Sequence, residues 1–301
     1  MTATCGRLNF LPCSDSPEMA RSCRDALDIP RDRASELGRS AVKAVDLGYY
    51  LDNAGNKVDW SMQVSHALSA KQSIAPAASL PIYTGTLQAE TRVQVCNETT
   101  LKASRRLVAG GLRTVALNFA NGVHPGGGFL SGARAQEETL CRSSALHCTL
   151  VNDPMYDYHR RRPRPDSSDW VIYSPDVPVF RSDDGAELAR PWLFNVLTSA
   201  APYAPSIGQP ESGDLLRKRI VRVLAVASSY GYDSLVLGAW GCGAFENDPH
   251  RTARDFREAL ETDFRGYFAD VVFAVTDWSP DRRFLGPFRD VFSQAARMSS
   301  K

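Results

Sequence analysis

The fold of this chain is constrained most by an alternation of short apolar runs with longer segments of helical spacing, which begins near residue 90. Apolar runs at residues 114–119, 234–240 and 271–275 have the length of buried strands. The segments between the runs, of roughly 12–16 residues, carry apolar residues at helical intervals. Strands that lack a polar face must be covered on both sides. This alternation therefore predicts a layered α/β sheet with helices on both faces.

The same reasoning assigns the other elements of this region. It predicts strands at residues 91–96, 170–173 and 192–199, and helices at residues 99–109, 135–150, 214–229, 249–264 and 287–298. Among them, residues 157–168 form a polar excursion rich in proline and arginine, which is typical of a surface loop.

The first part of the chain has a different character. Residues 15–75 are predicted to be mainly helical, interrupted by GYYLDNAGNKVDW, whose two short apolar runs around a polar turn favour a hairpin. Ser61 is a predicted N-cap for a helix that ends at Ser73, and IAPAASLP at residues 74–81 is typical of a linker. We therefore expect a mainly helical extension at residues 1–80, packed on a core formed by residues 81–301.

Composition excludes several classes of protein. A net charge of +1 over 301 residues gives no reason to expect general attraction to nucleic acid or to a membrane surface. No window of about 18 apolar residues could span a bilayer, and the segment MTATCGRLNFLPCSDS makes a poor signal peptide. The seven cysteines lack zinc spacing, so we expect reduced thiols and no metal site. A cytoplasmic or nuclear protein without a membrane partner is expected.

Residues 117–140, LNFANGVHPGGGFLSGARAQEETL, carry the strongest functional signal. Three consecutive glycines, Gly126, Gly127 and Gly128, cost backbone entropy and are typical of a main chain that approaches a phosphate or a sugar closely. Glu137 and Glu138 open the next predicted helix. Because neighbouring carboxylates repel each other, burial would raise the pKa of one, and a neutral glutamic acid suits general acid catalysis.

A second glycine-rich loop, GAWGCGAF at residues 238–245, also follows a predicted strand. Ligands of open α/β sheets lie beyond the carboxyl ends of strands, so two such loops indicate a diphosphate rather than a single phosphate. Neither loop fits GxGxxG followed by a ribose-binding acid, and neither fits a Walker A motif. Binding of a nicotinamide dinucleotide and hydrolysis of a nucleoside triphosphate are therefore disfavoured.

Each of these features also has an ordinary structural explanation. Glycine-rich turns are often structural, and acidic residues at a helix start are usually solvated and stabilised by the helix dipole. His124 could either fill the loop or touch a ligand, and Cys242 could pass for a nucleophile, although no histidine lies nearby in sequence. The basic run at residues 159–164 is either a solvated loop or an attractor for a polyanion.

Taken together, the two loops resemble a known family. Gly126–Gly128, seven further residues and then Gln136-Glu137-Glu138 resemble the GGG-x(6–8)-QEE signature of poly(ADP-ribose) glycohydrolases. GAWGCGAF resembles the diphosphate loop of that family, and NFAN at residues 118–121 resembles the segment before its triple glycine. The resemblance runs from about residue 30 to the C-terminus and is greatest to the compact bacterial-type branch.

This resemblance implies a macrodomain-like three-layer α/β/α sandwich with a mixed central sheet. It implies that Glu138 is the catalytic acid and base, that Glu137 holds ribose hydroxyls, and that Gln136 supports their loop. It further implies that Asn121 contacts the distal ribose, which Gly126–Gly128 allow the chain to approach.

The second loop would bind the diphosphate. The residues that the resemblance implies there are Gly241, Cys242, Gly243, Ala244 and Phe245, with Phe245 packed on the terminal ADP-ribose. Two departures concern the adenine end: the tyrosine that clasps adenine in the animal enzymes has no counterpart, and Ala239 replaces a polar residue of the animal-type loop.

The resemblance implies a cofactor-independent and metal-independent monomer that hydrolyses poly(ADP-ribose), mainly from chain ends, and releases ADP-ribose. Its partners would be poly(ADP-ribose) or ADP-ribosylated macromolecules. Two alternatives stay open: an enzyme of the same fold that removes single ADP-ribose units, and a reader that binds ADP-ribose without turnover.

Overall fold

The computed structural model describes residues 6–293. Its strands are β1 (Arg7–Phe10), β2 (Tyr49–Leu51), β3 (Lys57–Asp59), β4 (Gln72–Ile74), β5 (Glu90–Cys96), β6 (Thr114–Ala120), β7 (Val171–Arg181), β8 (Glu187–Ala200), β9 (Ser234–Leu237) and β10 (Asp270–Ala274). Its helices are α1 (Pro17–Leu27), α2 (Arg31–Leu47), α3 (Ser61–Ala70), α4 (Thr100–Ala109), α5 (Gln136–Ser143), α6 (Leu146–Leu150), α7 (Pro154–Arg160), α8 (Ala204–Ile207), α9 (Glu211–Ser229), α10 (Pro249–Glu261) and α11 (Leu285–Val291).

One mixed sheet organises the described residues. Its strands lie in the order β1-β5-β10-β9-β6-β8-β7-β4, and β2 and β3 form a separate antiparallel hairpin, as predicted. The strands from β1 to β8 along this order pair in parallel, whereas β7 and β4 are antiparallel to their neighbours. The carboxyl ends of β5, β10, β9, β6 and β8 therefore meet at a single edge, where ligands of such sheets bind.

Helices cover both faces of this sheet because its central strands are apolar on both sides. In β9, Leu235 and Leu237 belong to a core cluster with Leu216 and Ile220 of α9. Val236, which points to the opposite face, belongs to a second cluster with Leu101 of α4. The three-layer α/β/α sandwich with a mixed central sheet is confirmed.

The N-terminal residues supply two strands of the central sheet as well as the helices that pack on it. α1, α2 and α3 confirm the predicted helical character, but β1 and β4 form the two edges of the eight-stranded sheet. These strands have four and three residues, and each pairs with one distant strand of the sheet. The division at residue 80 stays a prediction, since the chain before it is part of the central sheet.

Several predicted element boundaries were wrong. The predicted helix at residues 135–150 is two helices, because Ser144 takes an extended conformation and forms an isolated bridge to Val179. Residues 157–160 of the predicted surface loop belong to α7, which Asp153 caps. Ser61 is the first residue of α3 rather than its N-cap. The final helix ends at Val291, and residues 294–298 of its prediction lie outside the described residues.

Helix α2 braces the glycine-rich loop that follows β6. The hydroxyl of Ser35 donates to the carbonyl of Leu130 at 2.6 Å. Gly38 lies so close to a short 3-10 turn (Phe129–Ser131) that a Cβ at this position would be 2.7 Å from the Phe129 carbonyl oxygen. The loop is therefore fixed from the side of the N-terminal helices.

We predict that Gly38→Ala destabilises the protein even though alanine is the better helix former. The gain in helix propensity is about 1 kcal/mol, whereas a methyl group forced against a backbone carbonyl costs about 1–3 kcal/mol and shifts the loop. Thermal unfolding should show a lower Tm than for the exposed control Arg39→Ala on the same helix. An unchanged or higher Tm would contradict this account of the brace.

Candidate active site

A cavity of about 420 Å³ lies at the carboxyl edge of the sheet. It is bounded on one side by the loop after β6 and the start of α5, and on the other by the loop after β9. Of the residues predicted for the site, the cavity is lined by Asn121, Gln136, Glu137, Glu138, Gly241, Gly243, Ala244 and Phe245. The structure thus brings the two glycine-rich loops together as opposite walls.

Gln136 fastens the start of α5 to β6. Its side-chain oxygen accepts from the Phe119 amide at 2.9 Å, and its nitrogen donates to the Leu117 carbonyl at 2.8 Å. The same nitrogen donates to the Thr100 hydroxyl at the start of α4, at 3.1 Å. This one side chain continues the hydrogen bonding of the strand end and sets the position of the two acidic residues that follow.

The Glu137 carboxylate is held by protein donors at both oxygens. Oε2 accepts from the Asn121 amide at 2.7 Å, and Oε1 accepts from Nδ2 of Asn118 at 3.2 Å. Glu137 is only 2 % exposed. Burial raises the pKa of Glu137 to about 8 and the nearby Glu138 carboxylate adds to the rise, while the two donors oppose it. The predicted neutral carboxyl of the pair is therefore Glu137.

Glu138 is held at one oxygen only. Its Oε1 accepts from the Gly128 amide at 3.0 Å, and no described group donates to Oε2. Gly127 explains why the loop needs glycine: it has φ +58°, and a Cβ there would lie well under 3.0 Å from Glu138 Oε1. The chain thus passes against the acidic pair and leaves one Glu138 oxygen for a ligand.

The rest of the first loop is arranged around this contact. Gly126 has φ +72° and packs against Phe129 and His147, while a Cβ on Gly128 would meet Ala133. The side-chain oxygen of Asn121 accepts from the amides of residues 123 and 124, at 2.9 and 3.0 Å. Its side-chain nitrogen has no acceptor among the described residues and remains available to a ligand in the cavity.

The second loop presents amides rather than side chains. Among the described residues, no group accepts from the backbone N–H of Gly243, Ala244 or Phe245. Asn247 braces the loop from behind by donating to the carbonyls of Pro202 and Gly241, at 2.9 and 3.2 Å. Unpaired amides at a fixed turn form a site for an anion.

Cys242 does not contribute its side chain to the cavity. The thiol is buried and lies 3.5 Å from the Trp240 carbonyl and 3.6 Å from the Thr252 hydroxyl. Burial raises its pKa to about 12, which is unsuited to a nucleophile. Any contact of this residue with a ligand in the cavity would have to come from its backbone.

The basic run at residues 159–164 is partly structural. His159 is buried between the Gly122 carbonyl at 2.9 Å and the Ser168 hydroxyl at 2.7 Å, and burial lowers its pKa to about 4. Arg160 donates to the Val123 carbonyl at 2.6 Å. The run therefore supports the first loop from outside. The expectation of a solvated segment was wrong for His159, which is buried, whereas Arg160 is exposed.

A third loop at the same edge was not predicted from the sequence. The residues after β10, including Thr276, Trp278 and Phe284, line the cavity, as do Thr99 after β5 and Asp183 in the turn between β7 and β8. The rule that ligand sites follow strand carboxyl ends could have identified the first group, since Trp278 follows the last predicted strand closely. Asp183 follows a strand that runs the other way and had no such signal.

Two further features of residues 6–293 concern membranes and metals. No helix in this part of the chain has both the length and the apolar character needed to cross a membrane. No group of three or more metal-ligating side chains is found there.

Comparison with known proteins gives consistent matches. The family model "Microbial-type PARG, catalytic domain" matches residues 38–182. Poly(ADP-ribose) glycohydrolase from Thermomonospora curvata matches with a TM-score of 0.82 and 40% identity over 86% of this chain and 99% of that chain. Its complex with the inhibitor ADP-HPD matches with a TM-score of 0.80 and 41% identity over the same shares. The Deinococcus radiodurans enzyme with bound ADP-ribose matches with a TM-score of 0.71 and 40% identity over 76% and 97%. No curated protein matches significantly.

Glu137 makes a testable contribution to the pH dependence of stability. Its pKa rises from 4.5 to about 8 on folding, so between these values the folded chain keeps a proton that the unfolded chain has released. Stability contributed by this group is present below about pH 4.5 and is lost as the pH rises to about 8. Glutamine cannot ionise, so a glutamine at this position does not lose stability as the pH rises.

We therefore predict that Glu137→Gln gains stability relative to wild type between about pH 5 and about pH 8.5, by at most on the order of 3–5 kcal/mol. Thermal or urea unfolding across this range measures the difference. Glu36→Gln on the exposed side of α2 corrects for removal of one carboxylate. A difference between Glu137→Gln and wild type that stays constant with pH would show that Glu137 is not kept protonated.

Proposed function

The chain belongs to the microbial-type poly(ADP-ribose) glycohydrolase family, and on that basis we propose that it hydrolyses the ribose–ribose O-glycosidic bonds of poly(ADP-ribose) to release ADP-ribose. The observation that carries the proposal is the arrangement of the cavity. One wall offers a carboxylate oxygen of Glu138 that has no protein partner, and the opposite wall offers unpaired backbone amides. A glycosidic bond next to a diphosphate needs both.

The second loop is the proposed diphosphate site. The N–H groups of Gly243, Ala244 and Phe245 point to no protein acceptor, and amides fixed in this way bind phosphate oxygens without any metal or lysine. Gly243 is open on the cavity side, since nothing lies within 4 Å of a Cβ built there. The ring of Phe245, packed edge-on against Tyr203 at 5.7 Å, covers the end of the terminal unit.

The first loop is the proposed site of the distal ribose. The free side-chain nitrogen of Asn121 donates to one hydroxyl. Glu137, protonated at neutral pH, donates its own proton to a neighbouring hydroxyl and keeps lone pairs to accept another. The two vicinal hydroxyls of a ribose match this arrangement of hydrogen-bond donors and acceptors. The sugar is thereby fixed with its anomeric carbon beside Glu138, and such positioning contributes several kcal/mol to catalysis.

Glu138 performs the proposed chemistry in two steps. In its protonated form, Glu138 passes the proton on Oε2 to the leaving 2′-oxygen while the bond from that oxygen to the anomeric carbon breaks. The resulting carboxylate then accepts a proton from water as the water oxygen attacks the oxocarbenium-like carbon. The group returns to its starting state, and the products are ADP-ribose and a polymer shortened by one unit.

The size of the cavity supports cleavage mainly at chain ends. A volume of about 420 Å³ suits a single small ligand rather than a continuing strand. One chain supplies both walls of the cavity, so we propose that the monomer is the functional unit.

We predict that Glu138→Gln lowers the rate of ADP-ribose release from poly(ADP-ribose) by at least about 10²-fold, because the amide neither gives nor takes the required proton. Chromatography or mass analysis of the products measures release, and calorimetry measures binding of ADP-ribose, which should persist. Glu261→Gln, on the surface of α10, is the control.

The same assay separates the alternatives. Equal release from wild type and Glu138→Gln would remove Glu138 from the mechanism. Turnover of mono-ADP-ribosylated protein without turnover of polymer would identify a mono-ADP-ribosyl hydrolase, and tight binding of ADP-ribose without turnover of either would identify a reader.

A substitution in the opposite wall should affect binding alone. Gly243→Val places its side chain in open space, so the Tm should stay within about 2 °C of wild type. The added methyl groups occupy the proposed diphosphate position, so the Kd for ADP-ribose should rise at least about tenfold. Ser65→Val, on the exposed face of α3, is the control for stability and binding. Unchanged affinity in Gly243→Val would place the diphosphate elsewhere.

A further inference from the structure

A buried cation without a partner lies directly behind the acidic pair. Arg142, in the last turn of α5, is 1 % exposed, and none of its three guanidinium nitrogens has a hydrogen-bond partner among the described residues. Nη1 of Arg181 donates to the backbone carbonyl of Arg142 at 3.3 Å, which leaves the guanidinium itself without a hydrogen bond among the described residues. Guanidinium groups stay protonated in proteins, so this is a full positive charge inside the fold.

A buried carboxyl faces this cation. Asp183, in the turn between β7 and β8, is 4 % exposed and lines the cavity. Its Oδ2 accepts from the Thr99 hydroxyl at 2.7 Å, while Oδ1 has no partner among the described residues. Arg142 and Asp183 favour each other's charged form, yet no salt bridge joins them. Because no direct salt bridge neutralises them, both charges are able to act on neighbouring groups.

The charge of Arg142 is directed at Glu138. The two residues are separated by four positions on α5, which places them on one face of the helix, and helical side chains lean towards the N-terminus. Burial lowers the pKa of Arg142, and the carboxylates of Asp183 and Glu138 oppose this by favouring its charged form. The attraction between the guanidinium and the Glu138 carboxylate is mutual, so Arg142 favours negative charge at that position.

Keeping such a cation is costly for the fold. An unpaired buried charge or donor destabilises a protein by several kcal/mol, and apolar residues of similar volume commonly replace buried ions without loss. Among the described residues, the Arg142 side chain makes no hydrogen bond that would explain its presence as a structural brace. A role in the electrostatics of the site accounts for it, and perturbed charges near a cleft are typical of active sites.

We propose that Arg142 is a positioning residue for the reaction, which stabilises the ionised form of Glu138 after the leaving group has taken its proton, and that Asp183 limits this effect. The proposal rests on the proposed function. Without the cation, the carboxylate that accepts a proton from water would form next to the Glu137 carboxyl with no compensating charge. With the cation alone, Glu138 would lose its proton too readily to act first as an acid.

Other charged and titratable groups contribute to the electrostatics around Glu138 in addition to Arg142 and Asp183. Glu137 and Cys141 lie on α5 itself, Arg134 lies on the preceding loop and is paired with Asp28, Arg181 lies on β7, and Lys102 of α4 acts on Asp183. The substitutions below leave all of these in place.

The test compares two substitutions of opposite charge. Arg142→Met removes the cation and should move the basic limb of the kcat/KM–pH profile upward by about half a pH unit or more, because Glu138 then holds its proton to higher pH. Asp183→Asn removes the opposing anion and should move the limb downward. Arg142→Lys keeps the charge and should restore most of the wild-type profile.

Arg219→Met, a buried cation on the other face of the sheet, is the matched control. It should lower the Tm without moving the limb. A purely structural role of Arg142 predicts a lower kcat without a shifted limb, and that result, or shifts of the same sign in Arg142→Met and Asp183→Asn, would overturn the proposal. If Arg142→Met does not fold, Arg142→Gln, which also removes the charge but keeps a polar side chain, takes its place in the comparison of sign with Asp183→Asn.

A second readout does not need turnover. Carbon-13 NMR of labelled glutamate carboxyls follows the titration of Glu138 directly, with its signal identified by its loss in Glu138→Gln. The midpoint should rise in Arg142→Met and fall in Asp183→Asn. Absence of ADP-ribose release with these shifts present would reject the proposed function alone, whereas release with no shift would reject the role of Arg142.

Discussion

The structure depends on the burial of two adjacent carboxyl groups against the end of a parallel strand. Burying a carboxylate is costly unless donors meet it, and here the donors are the main chain of the glycine-rich loop and the side chain of Asn118 on β6. The loop must therefore pass within hydrogen-bonding distance of the acids, which at Gly127 excludes any side chain. The brace from α2 and the fastening by Gln136 follow from the same requirement, since a loop that moved would leave the carboxylates unpaired.

The two carboxyl groups differ in what remains free, and this difference separates their proposed roles. Glu137 has a protein donor at each oxygen and keeps its proton to about pH 8, so it is a fixed hydrogen-bonding partner for a sugar. Glu138 has one oxygen free in the cavity and a buried cation behind it. The opposite wall needs no charged side chain, because backbone amides without acceptors bind a diphosphate. These amides add no cation to the charged groups around Glu138. Proton transfer and anion binding are thereby assigned to different walls.

Local sequence patterns predicted the layers of the fold, both glycine-rich loops and the acidic pair, because these features depend on strand periodicity and on backbone geometry. The edge strands β1 and β4 could not be predicted, since they are short and their pairing partners are distant in the sequence. The break at Ser144 depends on its bridge to Val179 in the same way. Arg142 reads from the sequence as an ordinary basic residue at a helix end, and only the packing of α5 shows that it is buried. Only the tertiary fold brings Arg142 near Asp183, so the local sequence around neither residue indicates that they interact.

The most direct test of the central claim is a crystal structure of the Glu138→Gln variant with bound ADP-ribose. The account predicts that the diphosphate accepts from the amides of Gly243, Ala244 and Phe245. It also predicts that the distal ribose lies between Asn121 and Glu137, with its anomeric carbon facing residue 138. A diphosphate bound away from the second loop, or a distal ribose outside the first, would contradict the assignment of the two walls.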